Sequence, residues 1–423
     1  MKKTRREFLK QATAAGAAAS LALAEVRTAV AQQVQAWPSA QSSDQQFTDL
    51  ARHYLLDEQV VYLNHSSIGT MPQAVFEARS KFQRLCEKNP WAYIWGGEWE
   101  APREEVRRQC AKILSCSHED IALTHNTTEA FNLLAQGLPL KKGDEVLFST
   151  LNHPGASVSF FHMGKQKGYA VRQFDFPIQD VPTLSSDDLV DIYTKQITDR
   201  TRLLVFPHID NIVGLRYPVA ALSKAARARG VEFVAVDAAQ SVGMLPVNVA
   251  ELDVDLYATS GHKWLQASKG SGFAFIGTRM RKSLRPMWVT WGQKEWDGTV
   301  RIFEDYGTRN MADVLTLGAA LTFHQQIPSD VRETRLGDLW SYTKQLAEDY
   351  RTTTWFSAKR FELGTALCAL RVDDDAKKLA KNLYEEHQIV LRGFTTKAGN
   401  TLRLTPNIFT SKRDIKLFFD ALG

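Results

Sequence analysis

The sequence predicts an α/β protein: a large domain on a mainly parallel, mixed sheet, followed by a smaller C-terminal α+β domain. Three observations lead there. The chain has 423 residues, enough to bury a sizeable core in more than one domain. Short, mainly apolar runs such as Leu203–Phe206, Val231–Val236 and Gly272–Ile276 have the length and residue types of strands covered on both faces. Between them lie segments of helical length, as from Val219 to Arg229, and strands alternating with helices are what parallel crossovers require.

The elements follow in order. Thr4-Arg5-Arg6-Glu7-Phe8-Leu9-Lys10 precedes a weakly apolar, alanine-rich stretch from Ala12 to Ala24, and Ala29-Val30-Ala31 comes before Gln32. Charged, apolar and small-residue regions in that sequence resemble a twin-arginine export signal, residues 1–31, cleaved after Ala31. That resemblance implies passage through the twin-arginine machinery and a periplasmic or secreted mature protein. The apolar stretch is too short for a stable membrane anchor, and no later segment reaches the length of a membrane helix. Cleavage would remove Lys2, Lys3, Arg5, Arg6, Lys10 and Arg27 with Glu7 and Glu25, hence four of the five net positive charges. A nearly neutral remainder lacks the concentrated basic surface that nucleic-acid binding needs.

Residues 32–71 are expected to form a leader and arm, with the Gln- and Ser-rich stretch 33–45 flexible. The large domain is expected over 72–306 and the small one over 307–423. Within the arm, Tyr62-Leu63-Asn64-His65-Ser66-Ser67-Ile68-Gly69 reads as a strand and a polar turn. His125-Asn126-Thr127-Thr128-Glu129-Ala130 leads into Phe131, Leu133 and Leu134, so it reads as a helix start with a threonine-rich cap. Free N–H groups at such a terminus bind phosphate, although a plain capping box gives the same pattern.

Gly143–Phe148 reads as a turn and strand, with Asn152-His153-Pro154-Gly155 in the loop beyond. The strand Leu203–Phe206 is followed by Asn211-Ile212-Val213-Gly214. The helix from Val219 closes at Gly230, a residue suited to the C-terminal cap. Val231–Val236 then puts Asp237 at a strand's C-terminal end, where open parallel sheets bind ligands. Leu256–Thr259 runs into Ser260-Gly261-His262-Lys263, and Gly272–Ile276 follows, so Lys263 is bracketed by strands.

Asp237-Ala238-Ala239-Gln240 and Ser260-Gly261-His262-Lys263 together supply an acid, an amide and a lysine. Pyridoxal phosphate needs all three: the amine forms a Schiff base with its aldehyde, the carboxylate keeps the pyridine nitrogen protonated, and the amide hydrogen-bonds the phenolic oxygen. Singly, they read as a surface cation, a helix cap and a first-turn polar residue.

With these segments in this order, the chain from about Tyr62 onward resembles the class V aminotransferase group of fold-type I pyridoxal-phosphate enzymes. That group includes cysteine desulfurases, selenocysteine lyases, kynureninases and isopenicillin N epimerase-like proteins, and this chain is most like the last. The resemblance implies a fold-type I architecture with pyridoxal 5'-phosphate as cofactor. It implies that Thr127, Thr128, Ser260 and His262 serve the phosphate, that His153 stacks on the ring, and that Asn211 lies near the phenolic oxygen. It places Asn64 in the segment approaching the substrate pocket. Gly307-Thr308-Arg309 resembles the segment by which one subunit reaches the phosphate of the other, which implies a homodimer with Thr308 in the partner's site. Gly399–Thr405 resembles the segment carrying the arginine for an amino acid's α-carboxylate. Arg403 is that candidate and Arg392 a second, because a guanidinium matches a carboxylate with two parallel hydrogen bonds.

Fold and cofactor leave the reaction open. The family's desulfurases carry a cysteine nucleophile on a loop shortly before the arginine, and no cysteine lies between Val372 and Arg403. An epimerase needs acid/base groups on both faces of the substrate, and only Lys263 offers itself, with His153 expected opposite. Transamination or β/γ elimination needs only Lys263. The expectation is therefore a transaminase or lyase acting on an amino acid or an amino-acid-derived compound, with epimerisation as the alternative. A non-catalytic binding protein of the same fold would have no need to keep acid, lysine and arginine together. Cys86, Cys110, Cys116 and Cys368 show no metal-like spacing and are expected as free thiols. The aromatic clusters Trp91, Tyr93, Trp95, Trp99 and Trp288, Trp291, Trp296 are expected in the core or an interface, with a substrate entrance as the other option.

Overall fold

The computed structural model describes residues 23–26, 28–32, 34, 37–94 and 97–423. A short strand, β1 (Val61–Tyr62), opens the part of the chain that builds the site. The large domain is organised by a seven-stranded sheet of β2 (Ile121–Thr124), β3 (Glu145–Ser149), β4 (Ala170–Phe174), β5 (Thr201–Pro207), β6 (Phe233–Asp237), β7 (Leu256–Ser260) and β8 (Gly272–Ile276). Its spatial order is β2-β8-β7-β6-β5-β3-β4. All neighbours are parallel except β8, which runs antiparallel to β2 and β7.

The apolar runs read from the sequence are these strands, and their composition follows from cover on both faces. Every residue of β2, β3, β6 and β7 is buried. Along β6, Phe233 and Ala235 pack into one apolar cluster while Val234 and Val236 pack into the other. Neither face meets water, so the strands show no apolar–polar alternation. The crossover helix Val219–Ala228 ends as expected at Gly230, whose φ of +84° suits a residue without Cβ.

The C-terminal part carries a four-stranded antiparallel sheet of β9 (Thr354–Trp355), β10 (Cys368–Val372), β12 (Arg392–Thr396) and β13 (Gly399–Leu404), in the order β12-β13-β10-β9. Helices Ser329–Asp349 and Lys412–Leu422 pack on it, the latter through Ile415, Phe418 and Phe419 on one face. Strand β11 (Ile389–Val390) leaves this sheet and pairs in parallel with β1. The opening segment thus lies against the C-terminal domain, and an isolated bridge from Asn64 to Thr405 extends the contact.

Two expectations change. Helix Met311–His324, assigned to the small domain by the boundary at 307, buries Leu315, Leu317, Ala319 and Ala320 in the large-domain core. Its apolar surface fits helices Gln73–Lys88 and Glu100–Leu114, and packing rather than chain order decides its domain. The stretch 33–45 is not a free leader in its described residues. Val34 is buried, Trp37 meets the Phe323 ring edge-on at 5.1 Å, and Ser43 caps helix Asp44–Thr48. Upstream, Val26 and Val30 are buried and Glu25 pairs with Lys81 at 2.7 Å. The arginine motif at residues 4–10 lies outside the described residues.

Among the aromatics, Tyr93 and Trp99 are buried, Trp91, Trp288 and Trp291 are exposed, and Trp95 lies outside the described residues. Trp296 sits about 6 Å from the guanidinium groups of Arg103 and Arg301. All four cysteines are free. Among the described residues, no helix is long and apolar enough to cross a membrane.

Candidate active site

Strands β6 and β7 are parallel neighbours, so their C-terminal ends open on the same edge of the sheet. Asp237 ends β6, and Ser260 ends β7 just before Lys263. A cavity of about 260 Å³ lies there. Its walls include Thr127, Thr128, His153, Asn211, Asp237, Gln240, Ser260, His262, Lys263, Arg392 and Arg403. Eleven of the thirteen residues singled out in the sequence therefore meet in one place.

The remaining two do not line it. Asn64 stands behind Arg403, its Oδ1 accepting from Nη2 at 2.9 Å. Thr308 is exposed on a bend held by Arg309, which donates to the carbonyls of Leu123 and Glu304. Within its own chain Thr308 is outside the cavity.

The phosphate-like end is built by helix Thr127–Gly137, and its cap differs from the expected one. The N-cap is Asn126, not a threonine: its side chain accepts from the Glu129 N–H. Thr127 donates its N–H to Ser260 Oγ at 3.1 Å, and the two hydroxyls lie 2.9 Å apart. Ser260 thereby ties the lysine turn to a helix N-terminus, where N–H groups and the dipole favour an anion. An asparagine three residues before a glutamate was the local signal for this cap, and the threonines drew attention away from it.

At the lysine turn the backbone is packed tightly. Gly69 donates its N–H to the His262 carbonyl at 2.8 Å, and a Cβ at Gly69 would lie 2.1 Å from the Lys263 carbonyl oxygen. Burial pushes the Lys263 amine down to about 8; Arg403 acts in the same direction and Asp237 against it. Asp237 accepts the Ala239 N–H at 2.9 Å through Oδ1. The Gln240 carbonyl accepts from the Trp264 indole at 2.7 Å, while its amide donates to the Ser66 carbonyl at 2.9 Å. One Gln240 N–H is left for a further acceptor. His153 Nδ1 accepts the Gly155 N–H at 3.0 Å, which puts the ring proton on Nε2. Burial, more than the cations Lys263, Arg392 and Arg403, holds that imidazole below the usual histidine range.

The opposite end is built around Arg403, which is 1% exposed. Its guanidinium donates to the Asn211 carbonyl, to Asn64 Oδ1, and to Ser67 Oγ at 2.6 Å. Burial, followed by the charge of Arg392, lowers it to about 9. Asp210 shapes the adjoining loop by accepting the N–H groups of Ile212, Val213 and Leu215, and burial pushes its carboxyl up to about 6. Ser66, Ser67, Gly155 and Asp210 were not picked out in the sequence, since nothing local distinguishes them from ordinary turn residues.

The family model described as aminotransferase class-V matches residues 61–402. The chain belongs to the class V aminotransferase family. It is 28% identical over 386 residues to isopenicillin N epimerase of Streptomyces clavuligerus, covering 87% of this chain and 95% of that protein. It is 24% identical to a probable cysteine desulfurase of Pyrococcus abyssi, over 88% of this chain and 96% of that one. A solved complex of the cystine C–S lyase C-DES with cysteine persulfide superposes with a TM-score of 0.78 at 22% identity, covering 89% of this chain and 99% of that one. The fold is that of the fold-type I enzymes, and the cofactor of this class V chain is pyridoxal 5'-phosphate.

The cavity fits that group on its own terms. His262, which lines the cavity with Thr127 and Ser260, has a buried Nδ1 without a hydrogen-bond partner, and as the Nδ1–H tautomer it would donate to a phosphate oxygen. Gly155 leaves room for Thr128, whose Oγ1 would lie 2.4 Å from a Cβ placed there.

Proposed function

We propose that this class V enzyme acts on the amino group of an amino acid or an amino-acid-derived compound, as a transaminase or lyase, outside the cytoplasm. The observation that carries the chemistry is the placement of Lys263, Asp237 and Arg403 on one cavity. Pyridoxal phosphate, when bound, supplies the electron sink that makes the substrate Cα–H acidic. Arg403, fixed by Asn211, Asn64 and Ser67, receives the α-carboxylate and orients Cα. Lys263 takes and returns the Cα proton, its lowered pKa leaving it partly neutral near pH 8. With the cofactor bound, Asp237 would hold the ring-nitrogen proton, Gln240 would offer its remaining N–H to the phenolic oxygen, and Thr127, Thr128, Ser260 and His262 would hold the phosphate.

Two features favour single-base chemistry. With Nδ1 occupied by the Gly155 N–H, His153 presents Nε2–H and no lone pair, so it is a poor second base for epimerisation. Where the desulfurases of the family carry a cysteine loop, β12 and β13 are joined by Lys397 and Ala398 alone. Cys368 is buried in β10, outside the cavity, with its thiol pKa raised by burial. Epimerisation remains the second reading, favoured by the similarity to isopenicillin N epimerases.

Two further parts of the proposal rest on the sequence. Residues 1–31 act as a twin-arginine signal, and Thr308 reaches the phosphate site of the other subunit in a homodimer. The decisive experiment incubates purified protein with candidate amino acids in deuterated water, monitoring mass and chirality. Keto acid, side-chain fragmentation, or α-deuteration with inversion identifies transaminase, lyase or epimerase. A visible cofactor band lost in Lys263→Ala is expected, and no band in wild type despite added cofactor would overturn the assignment. Finding uncleaved protein confined to the cytoplasmic fraction would overturn the export reading.

A further inference from the structure

We propose that the substrate is an amino acid bearing a second acidic group, and that Arg392 selects it. The inference deepens the amino-acid reading above and rests on it. Arg392 on β12 and Arg403 on β13 are directly opposite in the antiparallel register, so both side chains leave the same face of the sheet. Each guanidinium lies 5.1 Å from the Phe394 ring centre, so the two cannot be further apart than twice that distance. Both line the cavity. Like charges directly opposite across a strand pair destabilise a sheet, so this pair calls for an anion between or beside its members. Among the described residues, neither arginine has a carboxylate within 4.0 Å. Asp210, near Arg403, has its carboxylate oxygens engaged by backbone N–H groups.

The charge balance of the cavity gives this pair its meaning. Asp237 is the one carboxylate among the lining residues, and it stands at the end of β6 beside Lys263 rather than between the arginines. An α-carboxylate satisfies Arg403, which is buried and already braced on three sides. Arg392 is exposed at the rim and makes no such contacts among the described residues, so its fork can receive a second acid further along the substrate. A neutral side chain would leave it stacked on Phe394 with its charge unanswered. Arg392 is thus a specificity residue, distinct in role from the α-carboxylate anchor.

The test uses purified holoenzyme and two readouts. Calorimetry compares the unreactive diacids glutarate and adipate with butyrate and hexanoate. The visible cofactor band is titrated with glutamate against glutamine, and 2-aminoadipate against norleucine, in both chiral forms. Wild type is expected to prefer the acidic member of each pair by about 10- to 100-fold, the worth of one charge-assisted bidentate contact. Arg392→Gln is expected to erase that ratio and Arg392→Lys to restore part of it. If the ratio in wild type is near one, or survives in Arg392→Gln, the second-acid inference is overturned. If no amino acid perturbs the band at all, the amino-acid reading falls instead, which separates the two failures.

Discussion

The Lys263 amine is expected to react at neutral pH far faster than an ordinary lysine in protein freed of cofactor. Burial and the nearby Arg403 bring its pKa from 10.5 to about 8. At about pH 7.5, that leaves roughly a quarter of the amine neutral, against about one part in a thousand for an unshifted lysine, a gain of roughly 200-fold. The assay mixes cofactor-free protein with excess pyridoxal phosphate between about pH 6 and pH 10 and follows the visible band by stopped flow. Butylamine in the same buffers corrects for ionisation of the aldehyde, and Lys263→Ala gives the blank. Corrected rates should level off above about pH 8. The two neighbouring charges move the midpoint in opposite directions. Asp237→Asn removes the charge that favours the ammonium and should lower it, whereas Arg403→Gln removes a repelling cation and should raise it. A wild-type midpoint near that of butylamine would refute the argument, and so would equal midpoints in the two variants.

Glu304→Gln should cost about 1–3 kcal/mol in urea unfolding, because Arg107, fully buried, loses the bidentate carboxylate that meets it at 2.8 Å and keeps only Glu104 as a charged partner among the described residues. A loss below about 1 kcal/mol would contradict it. Arg107 holds the Glu304 carboxyl down at about 2 against the burial that raises it, so this contribution is present above the unfolded carboxylate pKa and fades as pH falls toward 2. Wild type should therefore lose stability on acidification more steeply than Glu304→Gln. Gly69→Ala puts a methyl 2.1 Å from the Lys263 carbonyl oxygen, and both partners are backbone, so about 1–3 kcal/mol of stability and weaker cofactor retention are expected. Unchanged thermal unfolding and cofactor titration would show that the contact yields freely.

The cofactor end of the site was legible because each group hangs on a local signal. Asp237 and Ser260 end apolar runs, and Thr127 starts a helix, so a reader of the chain can put each at the rim of a sheet. Arg403 was found by its resemblance to a family segment, but its bracing by Asn64 and Ser67 joins residues far apart in the chain and has no local trace. The same holds for β1 pairing with β11, and for helix Met311–His324, whose mostly apolar surface says that it is buried but not by which domain. Val26, Val30 and Trp37 were hidden for another reason: small and polar neighbours lower the local apolar signal, while their partners Phe323 and the helix at Gln73–Lys88 come much later.

The tie between Asn64 and Arg403 spans 339 residues, and this sets an order on the birth of the site. During synthesis Asp237 and Lys263 leave the ribosome while β12 and β13 do not yet exist. A nascent chain can therefore fold the half that holds Asp237 and Lys263 early, whereas Arg403, the proposed carboxylate anchor, waits for one long loop closure that no earlier folding event can replace. The segment from Asn64 to Ser67 must stay available throughout, next to a lysine already packed against Gly69. The proposed anchor for the substrate is therefore completed only after the residues of the other half of the cavity have been made.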